Sequence, residues 1–210
     1  MYKYIIILLM ISTFKAQETA PLPVEGFLGN HRFAFSTVIN KKFAPESRFG
    51  FFSVMSYAAG YENNVKEQDF ITNANVNYIL IKNFTAVLGI SIISTAGFHG
   101  TAGFQYHLQT KDLMVIVSPV IDIDKNYNME ALGIFQYTPR LSSGLKLFAK
   151  AQGFYNRNLN EGLHARSYAH FRLGLSHGIF TYGLASNTDF YGPAKIRKEN
   201  YGAFVKVDFP

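Results

Sequence analysis

The 210-residue chain has no cysteine and no tryptophan, and only 16% of its residues are charged. Without cysteine there is no disulfide framework, no thiolate metal site and no cysteine nucleophile. The charged fraction falls well below the roughly 25% of an average soluble domain, so part of the surface is expected to face something other than water. Formal net charge is +6, and two of those charges, Lys3 and Lys15, lie in a segment expected to be removed. The remaining basic residues are scattered, which speaks against a nucleic-acid face. A sustained apolar period of 3.6 residues is also missing, which excludes a helical bundle.

What the chain does have is Phe (20), Tyr (13) and Gly (17). Residues 1–16 read as a secretory signal peptide: Lys3 in a short leading region, an apolar stretch from Tyr4 to Phe14, and small Ala16 before Gln17. That stretch is about half the ~20 residues a membrane-spanning helix needs. Residues 17–30, with Pro21, Pro23 and Gly26, are expected to form an irregular lead-in.

From His31 onward the chain divides into segments rich in Phe, Tyr, Val, Ile and Ala: 31–42, 48–61, 69–82, 84–97, 101–110, 113–123, 127–138, 143–156, 164–176, 178–188 and 199–209. They are separated by Asn, Asp, Gly, Lys or Pro. Within them side chains alternate, as on a strand whose successive residues point to opposite faces. Arg166, Tyr168, His170 and Arg172 oppose Ala169, Phe171, Leu173 and Leu175. Gln105, His107 and Gln109 oppose Phe104, Tyr106 and Leu108. Asn73, Asn75 and Asn77 oppose Ala74, Val76, Tyr78 and Leu80. Lys146, Lys150 and Gln152 oppose Leu147, Ala149 and Ala151. The run Phe84 to Gly97 is too short for a membrane helix, and its β-branched residues and Gly make it a strand.

A soluble sandwich alternates too, so strand length, export and loop lengths decide. Membrane strands need about 9–11 residues, which these segments meet. Tight connections at Lys82-Asn83 and Ser176-His177-Gly178 and longer ones at 157–163 and 189–198 fall at opposite ends of an up-and-down barrel. The expected fold is therefore all-β: a small antiparallel up-and-down transmembrane β-barrel of about 10–12 strands over 31–210. A soluble periplasmic sandwich or ligand-binding barrel is the rival.

The chain ends Tyr201-Gly-Ala-Phe-Val-Lys-Val-Asp-Phe209-Pro210, with Ala203, Val205, Val207 and Phe209 on one face. This resembles the last strand of bacterial outer-membrane β-barrel proteins, whose near-terminal aromatic is read by the barrel-assembly machinery; here Pro210 follows it. The resemblance implies an outer-membrane location, with outer-membrane lipid and lipopolysaccharide as neighbours. No cofactor is implied.

If the polar face is the lumen, Arg32, Gln105, His107, Asp122, Asp124, Glu130, Lys146, Lys150, Arg166, His170, Arg172, Lys206 and Asp208 line it and neutralise one another. A small barrel has little bore beyond what its side chains fill. His164 and His170 are expected on one face about 20 Å apart, too far to share a metal ion, and no metal site is expected. His99-Gly100-Thr101-Ala102-Gly103 is similar to the His-x-Ser-Asn-Gly run of outer-membrane phospholipases, but Thr101 replaces the nucleophilic Ser. No catalytic residue is assigned. In 189–198, Phe190, Tyr191, Lys195, Arg197 and Lys198 form the expected outer-loop binding element, toward lipopolysaccharide phosphates or a partner protein. The leading functional reading is a nonenzymatic barrel with a structural, adhesive or partner-binding role. The alternatives are a narrow passive pore for small solutes or ions and a lipid-modifying enzyme.

Overall fold

A computed structural model describes residues 21–210 apart from 63, 65–66, 95–96 and 124–126. The strands are β1 (Leu22–Gly29), β2 (Arg32–Lys42), β3 (Phe49–Gly60), β4 (Asp69–Ile81), β5 (Phe84–Ile93), β6 (Gly97–Gln109) and β7 (Leu113–Asp122). They continue with β8 (Asn128–Tyr137), β9 (Arg140–Ser142), β10 (Leu145–Asn158), β11 (His164–His177), β12 (Phe180–Tyr191) and β13 (Ile196–Phe209). Each pairs antiparallel with the next, except that β8 and β9 both pair with β10, and β13 pairs with β1, so the sheet closes on itself. The short β9 prolongs β8 past Pro139, which has no N–H to give the ladder; its carbonyl still accepts from Leu147 N at 3.0 Å. Counting β8 and β9 as one, twelve strands form a closed up-and-down barrel.

The twelfth strand is β1. The expected irregular lead-in is corrected over 22–29, which pairs residue for residue with β13 from Leu22↔Phe209 to Gly29↔Gly202. Pro23 sits near the start of the strand, where a missing N–H costs least. The signal peptide expected over 1–16 and the Asp124 carboxylate lie outside the described residues.

The polarity of the barrel is the reverse of a soluble sheet's. Leu184 (72% exposed), Leu28 (68%) and Leu88 (61%) point outward, whereas Glu25, Arg32, Asp69, Asp122, Glu130, Arg166 and Asp189 are buried inside. Exposure of that much apolar surface is sustainable only in lipid. Outward positions carry charge only near strand ends, at Lys41, Arg157, Arg197 and Glu199. A charge at the bilayer midplane would cost about 2–4 kcal/mol. The chain termini share one end with the turns at 43–48, 82–83, 110–112, 143–144 and 178–179, and the remaining connections cap the other.

Inward glycines make room for inward aromatics. Gly174 and Gly183 face each other across β11 and β12, and a Cβ on Gly183 would lie 2.2 Å from the Leu173 carbonyl. Phe148 and Phe204, their neighbours on β10 and β13, meet with ring centroids 5.8 Å apart. A second cluster, Phe52, Val54, Ile71, Ile93, Ile116, Leu132, Ile134, Phe154 and Tyr168, fills the lumen on the side of β3 to β11.

Candidate functional site

The lumen is divided along its axis. At the end holding the termini, a cavity of about 490 Å³ is lined by Glu25, Asn40, His107, Gln109, Gln136, Lys150, Lys206 and Asp208, with Ile116, Ile134 and Phe148 among its walls. Farther in lie two voids of about 10 Å³ each, one beside Glu25, Lys150 and Arg172 and one beside Asn75 and Glu130. Such a void admits about one water molecule. At the loop end a cleft of about 660 Å³ lies on the rim, lined by His31, Arg32, Tyr61, Glu62, Glu67 and Lys198 together with the outward-facing Arg197 and Glu199.

Two charged layers build the constriction. In the inner one, Arg172 Nε donates to Glu25 Oε1 at 2.8 Å and Arg172 Nη1 to Asn187 Oδ1 at 2.7 Å. Glu25 Oε2 is left without a hydrogen-bond partner. Lys150 borders the same void and makes no ion pair of its own among the described residues. Gln152 Nε2 donates to Tyr168 OH at 2.9 Å, and Lys206 pairs with Asp208 at 2.6 Å.

The outer layer spans the lumen. Arg166 of β11 pairs with Asp69 of β4 and, at 3.2 Å, with Asp189 of β12. Arg32 of β2 holds the other Asp189 oxygen at 2.8 Å and donates to Tyr191 OH at 3.2 Å. Tyr191 OH donates to Asp69 Oδ2 at 2.8 Å, and its ring lies 4.7 Å beneath the Arg166 guanidinium. His170 Nε2 stands 3.3 Å from Asp189 Oδ1. Asn200 holds the Arg32 backbone at N (3.2 Å) and O (2.8 Å), which fixes where that guanidinium points.

Across the lumen sits an acidic and amide-rich group. Asn128 Nδ2 donates to Asp122 Oδ2 at 2.8 Å, Asn156 Nδ2 to Glu130 Oε1 at 3.0 Å, and His99 Nδ1 lies 3.9 Å from Asp122. Gln105 accepts from Asn77 Nδ2 at 2.6 Å. Among the described residues no three His, Asp or Glu side chains are arranged to hold a metal ion.

The register therefore brings Arg32, Gln105, His107, Asp122, Glu130, Lys150, Arg166, His170 and Arg172 to the inward side; Lys146 takes an inward position too but is exposed at the terminus end. The outer-loop element is corrected. Only 192–195 form the turn, and Phe190, Tyr191, Arg197 and Lys198 belong to β12 and β13. Tyr191 points into the lumen, Lys198 lies 5.5 Å over its ring, and Phe190 and Arg197 share an outward cross-strand pair. The His164 expectation is corrected as well. A bulge between Asn156 and Arg157 pairs Arg157 with His164, which puts His164 on the outward face, opposite to His170. His99 and Thr101 of the phospholipase-like run are buried and face the lumen.

The inward cations are segregated. Arg32, Lys146, Lys150, Arg166, Arg172, Lys198 and Lys206 all come from the arc running from β10 through β13 to β2. Inward positions of β3 to β8 bring no Lys or Arg; beside the apolar cluster they carry Asp69, Asp122 and Glu130 with amides, hydroxyls and histidines.

The chain matches no protein-family model and no curated protein by sequence. Among solved structures, the NanC porin superposes with a TM-score of 0.54 at 14% identity, over 90% of this chain and 99% of that one. The two share the closed up-and-down barrel fold. The KdgM porin in complex with disordered oligogalacturonate also superposes, with a TM-score of 0.50 at 12% identity over 90% of this chain and 99% of that one. At such identities the shared feature is the barrel itself, a transmembrane barrel of the outer-membrane type.

Proposed function

We propose that this barrel is a narrow passive channel for small solutes in a bacterial-type outer membrane, with lipid and lipopolysaccharide around it and the assembly machinery as its partner during insertion. The observation that carries the reading is a water-facing cavity of about 490 Å³ that enters the lumen at the terminus end and meets a short charged constriction. The porin-like fold supports it. The one-sided basic arc supports it further, because opposed charges across a narrow lumen set up a transverse field that orients and sorts solutes.

Lys150 borders the constriction with no ion pair of its own among the described residues, whereas Arg172 already holds Glu25 and Asp208 holds Lys206. A unit charge acting at 4 Å in water is worth about 1 kcal/mol. Exchanging Lys150 for Glu therefore lowers the energy of a passing cation by about 2 kcal/mol, roughly a 30-fold gain in its permeability, and raises that of an anion by as much. Planar-bilayer recording at low salt, where screening is weakest, measures it as a shift in reversal potential. An unmoved potential overturns the route past Lys150.

A closed structural barrel is the second reading. It is favoured by the nine-residue apolar cluster in the lumen and by voids no larger than a water molecule between the charged layers. Absence of conductance from a correctly folded preparation selects it.

A further inference from the structure

The bulge that turns His164 outward also completes an arrangement that the channel does not use. His164 Nδ1 lies 2.7 Å from the carbonyl oxygen of Gly192, an acceptor only, so Nδ1 carries the proton and donates it there. The other nitrogen, Nε2, is then the unprotonated one, and it lies 2.9 Å from Ser167 Oγ, whose hydroxyl donates to it. Hydroxyl, imidazole and orienting carbonyl stand in the order by which a serine is activated: a base takes its proton while a third group holds the base in the correct tautomer.

The local chain builds this geometry. Gly192 adopts a positive φ of 66° in the β12–β13 turn, which aims its carbonyl at His164, and its N–H donates to the Ala165 carbonyl at 2.8 Å. The turn is thereby tied to the bulge. His164 is 7% exposed and packs in a tilted arrangement against the Tyr155 ring, centroids 5.7 Å apart, so its orientation is fixed by contacts on both sides. Ser167 is half-buried on the outward face between its cross-strand neighbours Tyr155 and Phe190.

That position meets lipid rather than solute. Ser167 lies three residues from the loop end of β11, roughly 10 Å along a tilted strand, close to the rim charges Arg157 and Arg197 on the same outward face. Arg157, the cross-strand partner of His164, adds a guanidinium to the same face.

We propose that Ser167 and His164 form a catalytic dyad on the outer wall of the barrel that cleaves acyl esters of membrane lipids. Ser167 Oγ attacks the ester carbonyl as its proton passes to His164 Nε2. The alkoxide of the lipid leaves with that proton, and the acyl group remains on Ser167. Interfacial water, deprotonated by His164, then attacks the acyl-serine, and the fatty acid departs as Ser167 Oγ recovers its proton. One ester and one water become one acid and one alcohol. Arg157 is placed to draw the anionic headgroup and acts in binding.

The test uses the full-length purified protein, folded into mixed micelles with a fluorogenic diacyl phospholipid, and in parallel an alkyl fluorophosphonate that labels activated serines. The expected result is fatty-acid release and a single adduct mapped to Ser167, both lost in Ser167→Ala. His164→Gln should lower the rate about 10²–10⁴-fold, the share a positioned general base contributes. Arg157→Gln should raise KM for the anionic lipid and leave kcat in place. Heat-modifiable migration on gels shows that each variant is folded. Folded wild-type protein that neither releases fatty acid nor takes the label overturns the proposal, as does turnover that survives in Ser167→Ala.

Discussion

Arg166 ties the two sides of the lumen together, and its removal gives the sharpest test of the interior. The side chain is 4% exposed and holds Asp69 on β4 and Asp189 on β12, 3.2 Å from the latter. Substitution by Met keeps the length and apolar volume but leaves two buried carboxylates facing each other. Breaking a buried pair by removing one partner costs about 3–5 kcal/mol, because the surviving charge is stranded. Asp189 retains Arg32 at 2.8 Å, and Asp69 retains the hydroxyls of Tyr191 and Ser94 at 2.8 and 2.9 Å, so the loss falls at the lower end, about 3 kcal/mol. Adding Asp69→Asn to Arg166→Met removes the stranded charge and should restore about half of that loss, a coupling of the size expected for directly paired groups. Urea unfolding from lipid vesicles, followed by far-UV circular dichroism and by the folded and unfolded gel bands, reads both numbers; the chain has no Trp to serve as a fluorescent probe. A loss below about 1 kcal/mol for Arg166→Met would refute a dry, paired lumen, as would a double variant less stable than the single one.

Two further predictions concern the filling of the bore. Phe154→Ala removes a ring stacked 5.4 Å from Tyr168 in the luminal apolar cluster; it should cost about 3–5 kcal/mol in urea unfolding and raise single-channel conductance. Gly183→Ala places a methyl 2.2 Å from the Leu173 carbonyl and should destabilise the barrel by about 1–3 kcal/mol, visible as a lower midpoint of heat-modifiable migration, whereas Gly133→Ala, where nothing lies within 4 Å, should leave it unchanged.

Much of the architecture is legible because alternation is a local property. Ala169, Phe171 and Leu173 face lipid and Arg166, His170 and Arg172 face the lumen, as their two-residue period requires. Local signals also mislead where pairing overrides them. Pro21, Pro23 and Gly26 read as irregular, yet the exposed edges of β2 and β13 give Leu22–Gly29 hydrogen-bonding partners on both sides. The bulge beside Asn156 reverses the face of His164, and no composition rule marks it. Tyr191, beside Gly192-Pro193, reads as a loop aromatic but closes a hydrogen bond to Asp69, 122 positions earlier. Contacts such as Arg166 to Asp69, 97 positions apart, exist only once the circle of strands is closed, so the filling of the lumen was beyond a strand-by-strand reading.

The meeting of β1 and β13 behaves as a keyed seam. Glu25 of the first strand reaches across to Arg172 of β11, while Val205 and Leu28, a residue or so away in register, face lipid. Sliding β1 by one position would turn Glu25 out into hydrocarbon and Leu28 into the charged layer, a penalty at both faces at once. A barrel sealed in the correct phase pairs Arg172 with Glu25, and a misphased one strands both charges.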